Sequence, residues 1–233
     1  MKNSRISFAL WAFIFVVSFI ACKKNNDVKP VCRINFFTLG GQVYTISYNS
    51  NGKIISLSTS AGLTQVYAYL PNTTVITSSN SGTFSSKTTV TLNTAGLATN
   101  VRTELNSSGT EWMNDANEYN GEELIKQTST RSSDNTQNIT TYTWFNHNVI
   151  SQTAGSSTET LEYYADKLRQ NGDYLDFFQL IAGYEFLRTK NLLKTFGNST
   201  LTYDFGTDGN IAALTISSTG GTPETLNFQY ECN

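Results

Sequence analysis

The sequence contains a single histidine, three cysteines and only 15% charged residues, with a net charge of −2. Each shortage closes off a class of function. With one histidine, neither a histidine pair nor a histidine-based zinc site can be built. His147, in the run Phe145-Asn146-His147-Asn148, reads as a solvated turn residue. A general base there would need a nucleophile and an orienting group that no motif supplies. Charge lies below the usual quarter of residues, and no basic run extends beyond Lys23-Lys24, so nucleic acid is not an expected partner. The glycine pairs at 40–41 and 220–221 mark turns and lack the residues of a phosphate loop. Asp204, Asp208 and Gly209 form part of a calcium loop. Gly206 and Thr215 stand where further ligands belong, and an ordinary Asp-Gly turn accounts for the segment. No metal and no cofactor is expected. The acid pairs Glu122-Glu123, Glu159/Glu162 and Asp173/Asp176 read as chance spacing, because a glycosidase needs two carboxylates held across a cleft.

Long apolar runs are scarce too. The only one, Ile6 to Ile20, follows Lys2 and Arg5 and precedes Ala21-Cys22, the layout of a secretory signal with a small residue at the cleavage point. Phe19-Ile20-Ala21-Cys22 resembles a bacterial lipobox, which implies that Cys22 is acylated and that the chain is held to a membrane by lipid. The alternative is an uncleaved membrane anchor, but roughly 15 apolar residues fall short of the roughly 20 that a spanning helix needs. Residues 1–22 are therefore expected to be a lipoprotein signal peptide. Residues 23–30, polar and ending in Pro30, are a tether, and residues 31–233 form a single domain.

With Cys22 assigned to lipid, Cys32 and Cys232 remain, one at each end of that domain. In an exported chain such a pair favours a disulfide.

What is abundant is alternation, the strand signal. Tyr44, Ile46 and Tyr48 alternate with polar residues. So do Leu201, Tyr203 and Phe205, and so do Leu226, Phe228, Tyr230 and Cys232. Cys32, Ile34 and Phe36 do the same at the start. Between strands sit Asn51-Gly52, Asp208-Gly209 and similar hairpin turns. A loose repeat sets an aromatic residue before the turn, Gly or Asn within it and Ile after it. It fits Tyr48/Gly52/Ile54, Trp144/Asn148/Ile150 and Phe205/Gly209/Ile211, with Leu92/Gly96/Ala98 as a weaker copy. Repeated hairpins predict an all-β, antiparallel up-and-down meander curling into a barrel-like sheet. The clean alternations run for about five to eight residues, shorter than the roughly 9–11 of a membrane-spanning strand. Tyr44, Ile46, Tyr48, Leu201, Tyr203, Phe205, Leu226 and Phe228 are accordingly expected to point inward, away from lipid. From Ala165 to Leu193 the alternation fails, which predicts a short helical or loop insertion plugging one end.

Several phrases together resemble a family of Bacteroidetes-type lipoproteins that carry a domain of unknown function with a porin-like fold. They are Lys23-Lys24 after the lipobox, Ile46-Ser47-Tyr48-Asn49-Ser50-Asn51-Gly52-Lys53-Ile54 and Leu161-Glu162-Tyr163-Tyr164-Ala165-Asp166-Lys167. Lys190-Asn191-Leu192-Leu193-Lys194 and the closing Phe228-Gln229-Tyr230-Glu231-Cys232 complete the set. The resemblance implies a β meander curled towards a barrel, with no assigned catalytic or binding residue. The chain is thus expected to be a non-enzymatic lipoprotein of the outer membrane in the cell envelope, a binding or structural module with a glycan or protein partner. A cell-surface glycan-binding role is the alternative, and hydrolysis comes third. Among Tyr67, Tyr69, Trp112, Trp144, Tyr163, Tyr164 and Tyr184, Trp112 in its polar surroundings is the best candidate for an exposed ring that stacks on a ligand.

Overall fold

The computed structural model describes residues 31–232; the signal run, Cys22 and the tether lie outside the described residues. The chain begins with β1 (Cys32–Leu39), β2 (Gln42–Tyr48), β3 (Ile54–Thr59), β4 (Leu63–Leu70), β5 (Thr73–Asn80) and β6 (Thr83–Leu92). It continues through β7 (Ala98–Glu104), β8 (Trp112–Asn120), β9 (Glu123–Arg131), β10 (Gln137–Phe145), β11 (Asn148–Ala154) and β12 (Ser157–Leu168). After α1 (Tyr174–Ala182) come β13 (Asn191–Phe196), β14 (Ser199–Phe205), β15 (Ile211–Ser218) and β16 (Glu224–Cys232). Every strand pairs with its sequence neighbours, and β1 pairs with β16, closing an antiparallel barrel of 16 strands. Closure removes both open edges, which would otherwise invite pairing with other chains.

The closing seam is read directly from its register: Cys32 lies opposite Cys232, Ile34 opposite Tyr230 and Phe37 opposite Phe228. The two cysteines are joined by a disulfide across this seam, 200 residues apart in sequence.

A barrel of this strand number is too wide for its wall side chains to fill. The segment between β12 and β13 supplies the missing volume. The insertion is narrower than the broken alternation implied, because β12 runs on to Leu168 and β13 resumes at Asn191. Its helix is punctuated at both ends. Asp173 caps the start, its carboxylate accepting from Leu175 N, and Gly183 ends it in the left-handed conformation. Glycine is required there twice over: φ is +74°, and a Cβ would stand 2.6 Å from the Tyr67 ring. Phe177, wholly buried, meets Phe37 edge-on with ring centroids 4.7 Å apart and packs 5.1 Å from Phe228. These two wall residues come from the strands of the seam, so the plug and the closure share one core.

The wall's outer face mixes exposed threonines with apolar residues such as Ile55, Val66, Ile125, Ile139 and Ile150. Thr45, Thr77, Thr91, Thr141, Thr143, Thr160, Thr200, Thr202 and Thr225 stand exposed on it. Pairs such as Thr153–Thr158 and Thr215–Thr225 hydrogen-bond across strands at 3.0 Å. A lipid-facing barrel carries an apolar band about 25 Å tall in that place.

Of the side chains expected inside, Ile46, Leu201, Leu226 and Phe228 are buried, and Tyr44, Tyr48 and Tyr203 are half-buried against the core. Phe205 is not: it is 40% exposed. It is the last residue of β14, at the rim beside the turn, where Lys167 lies over its ring at 4.7 Å. In β1 the alternation itself is broken: a bulge between Ile34 and Phe36 hands the inward seat to Phe37. The hairpin repeat is likewise correct for three of its four copies. Tyr48/Ile54, Leu92/Ala98 and Phe205/Ile211 are register pairs flanking turns in which the first residue's N–H donates to the carbonyl of the fifth. The Trp144 copy is different. Asn146 and His147, with φ of 50° and 62°, make a two-residue turn, Val149 takes the inward place, and Ile150 is 38% exposed.

Candidate functional site

Because strands alternate in direction, Cys32, Cys232, the three matching turns and the β12–β13 insertion all lie at one mouth of the barrel. The insertion is fastened there by a polar network. Gln179, buried in α1, accepts from the N–H groups of Phe186 and Leu187 at 2.6 and 2.7 Å and donates to Leu187 O at 2.8 Å. Arg169 donates to Asp176 at 2.9 Å and to Glu185 at 2.6 Å. Arg188 reaches Glu185, Glu122 and the carbonyl of Ala95. The irregular segment returning from α1 to β13 is thereby tied to two rim turns, and Ala98 N donates to Glu185 O at 2.8 Å. Burial lifts the Asp173 carboxyl to about 7, the hydrogen bond from Leu175 N opposing, and burial raises Asp176 as well against the pull of Arg169.

Between the plug and the far mouth lies a cavity of about 390 Å³. That size falls at the lower end of small-ligand sites, roughly 300–1,000 Å³. Its roof is Tyr174, Leu175 and Phe178 of α1 with Tyr184, Phe186 and Leu187. Its sides include Asp115, Asn117, Gln127, Tyr142 and Gln152 from β8 to β11. The amides are held in fixed orientations. Asn117 donates to Ala98 O at 2.8 Å, Gln127 donates to Asn117 Oδ1 at 3.1 Å, and Gln152 donates to Glu159 at 2.6 Å. Asp115 accepts from Ser129 Oγ through one oxygen. Burial raises the Tyr142 and Tyr184 hydroxyls to about 12, and the negative charge of Asp115 adds to both shifts. The carboxylate and the two phenols therefore face one space.

Tyr184 is one of the aromatic candidates of the sequence, whereas the polar side chains around it carry no motif. In β8 (Trp-Met-Asn-Asp-Ala-Asn-Glu-Tyr-Asn) the inward positions that line the cavity, Asp115 and Asn117, are polar, so hydrophobic alternation is silent there. Trp112 lies at the opposite end of that strand from Tyr119. It is half-buried, and the Arg102 guanidinium covers one ring face at 4.6 Å. Tyr67 and Trp144 are committed inside, donating to Ile181 O and Leu124 O. The His147 side chain is 80% exposed, its Nδ1 3.6 Å from Glu123. Two of the acid pairs are divided among separate partners: Glu122 with Arg188 and Glu123 beside His147, Glu159 with Gln152 and Glu162 with Lys194. Asp173 and Asp176 instead both feel Arg169, and the charge of Asp176 adds to the rise of Asp173. Asp208 holds its own turn through Asn210, whose N–H keeps the carboxyl below its usual range. Among the described residues no group of three or more His, Cys, Asp or Glu side chains is placed to hold a metal ion.

Among solved structures, the chain is similar to a porin-like protein from Bacteroides uniformis. The TM-score is 0.58 at 18% identity, covering 85% of this chain and 96% of the other. The likeness is one of fold, and the 16-strand barrel is porin-like in that sense. No protein-family model matches the sequence, and no curated protein matches it.

Proposed function

We propose that the chain is a non-enzymatic lipoprotein of the cell envelope, anchored to the outer membrane through an acylated Cys22, whose barrel is a binding module rather than a channel. The observation that carries this reading is the pairing of a threonine-rich outer wall with a lumen stopped by α1. The wall is unsuited to lipid, and a plugged lumen is unsuited to conduction. Membrane attachment then falls to the N-terminal signal, where Ala21-Cys22 follows the apolar run. In sequence the tether of residues 23–30 comes just before Cys32, a residue of the plugged mouth. A hydrolytic reading would need two carboxylates facing one cleft, and the cavity is lined by one, Asp115.

The test is Cys22→Ser in the full chain, expressed in a bacterium that processes lipoproteins. The variant should lose metabolically incorporated fatty acid and leave the membrane fraction while the barrel stays folded. Retention in the membrane with the signal still attached would instead assign anchorage to Ile6–Ile20.

A further inference from the structure

We propose that the cavity beneath the plug binds a neutral, hydroxyl-rich ligand of one or two sugar rings. The proposal rests on the binding-module reading above but not on how the chain is anchored.

Three observations converge on this chemistry. The first is charge: no lysine, arginine or histidine lines the cavity, so an anionic ligand would find no counter-charge. The second is the sense of the hydrogen bonds. Gln127 and Gln152 each spend one N–H, on Asn117 and Glu159, and Asp115 uses one oxygen on Ser129. What remains for a ligand is the two amide oxygens with one N–H each and the second Asp115 oxygen, a mixture of acceptors and donors. Such groups spread around a space match hydroxyls around a ring, which both accept and donate, better than the single compact charge of an ammonium group. The hydroxyls of Tyr142 and Tyr184, in the field of Asp115, can donate or accept as a ligand hydroxyl requires.

The third observation is Phe178. It is a helix residue inside a barrel, yet it remains 37% exposed and lines the cavity. Tyr174 and Phe177 hold its ring in edge contacts, with centroids 4.9 and 5.3 Å away. A fixed ring bordered by polar groups suits a pyranose, which has an apolar face of C–H groups and an edge of hydroxyls.

The experiment uses the exported chain from Lys23 onward, free of lipid, with ligand-observed NMR and calorimetry. The probes are glucose, galactose, N-acetylglucosamine, maltose and cellobiose at millimolar concentration, with choline as the cationic comparison. At least one sugar should bind, and choline should not. Gln152→Ala and Phe178→Ala should each weaken that sugar by roughly tenfold, about the loss of one good contact. Tyr142→Phe, which keeps the ring and the packing, should weaken it less, with the melting temperature unchanged. Binding of choline in place of the sugars would overturn the ligand class, and no binding by any probe would overturn the site. Sugar binding abolished by Trp112→Ala and unaffected by Gln152→Ala would move recognition to the outer wall and equally refute the proposal. Since the lipid is absent throughout, a failure here is distinct from a failure of the Cys22 anchor.

Discussion

Reduction of the Cys32–Cys232 bond should lower the melting temperature of the barrel by roughly 10–20 °C without opening it at room temperature. The bond joins residues 200 apart, nearly the whole domain. In the chain-entropy account a loop of that length removes roughly 5 kcal/mol of freedom from the unfolded state. For a domain of this size each kcal/mol moves the midpoint by about 2–4 °C. The seam itself does not depend on the sulfur bridge, because the β1–β16 ladder continues from Arg33/Glu231 to Thr38/Asn227. Phe37 and Phe228 also remain clamped on Phe177. The expected result is therefore a reduced protein that keeps its β-sheet circular dichroism and melts earlier. The Cys32→Ser/Cys232→Ser variant should melt with it. Free thiols detected in the unreduced domain would exclude the bond, and a loss of folded signal on reduction would show that the seam cannot hold alone.

The second large effect is a loss of stability as pH rises from about 4 to about 7. Asp173 is wholly buried at the start of α1, and its carboxyl is raised from 3.8 to about 7, chiefly by burial. In this interval the folded chain keeps a proton that the unfolded chain has released, so the folded state is favoured at the acid end and loses that advantage as pH climbs through the folded value. Three units correspond to roughly 4 kcal/mol, or roughly 10 °C in melting temperature. Asp176, also raised, acts in the same sense, while Arg169 opposes it. Asp173→Asn preserves the helix cap and cannot titrate, so its stability should change much less over the interval. A wild-type profile that is flat, or that rises with pH, would show that Asp173 is charged in the folded protein.

The barrel was legible in the sequence because its strands obey the simplest rule, apolar in and polar out, and because three turns share one spacing. The plug was legible as the place where the rule fails. What escaped were positions where a bulge adds a residue to the strand itself, and a rim position. Phe36 and Ile150 carry the right residue type for the core and lose the inward place to Phe37 and Val149 through a shift of one residue, while Phe205 ends its strand 40% exposed at the rim. Nothing in their own identity signals this. The cavity escaped for a complementary reason. Asp115, Asn117, Gln127 and Gln152 are polar residues on inward faces, and a polar residue in a strand is read as facing water. It does face water here, on the inside. Trp112 was singled out because its neighbours are polar, but its ring is partly taken up by Arg102, a contact made across the β7–β8 pair that linear sequence does not display.

The claim on which the rest depends is that the wall of this barrel faces water. Sedimentation velocity of the chain from Lys23 onward, refolded or exported without lipid and kept free of detergent, tests it most directly. A wall of exposed threonines predicts a single compact folded species that does not float with added phospholipid vesicles. A chain that stays dispersed only in detergent, and that inserts into vesicles as a barrel, would contradict the account.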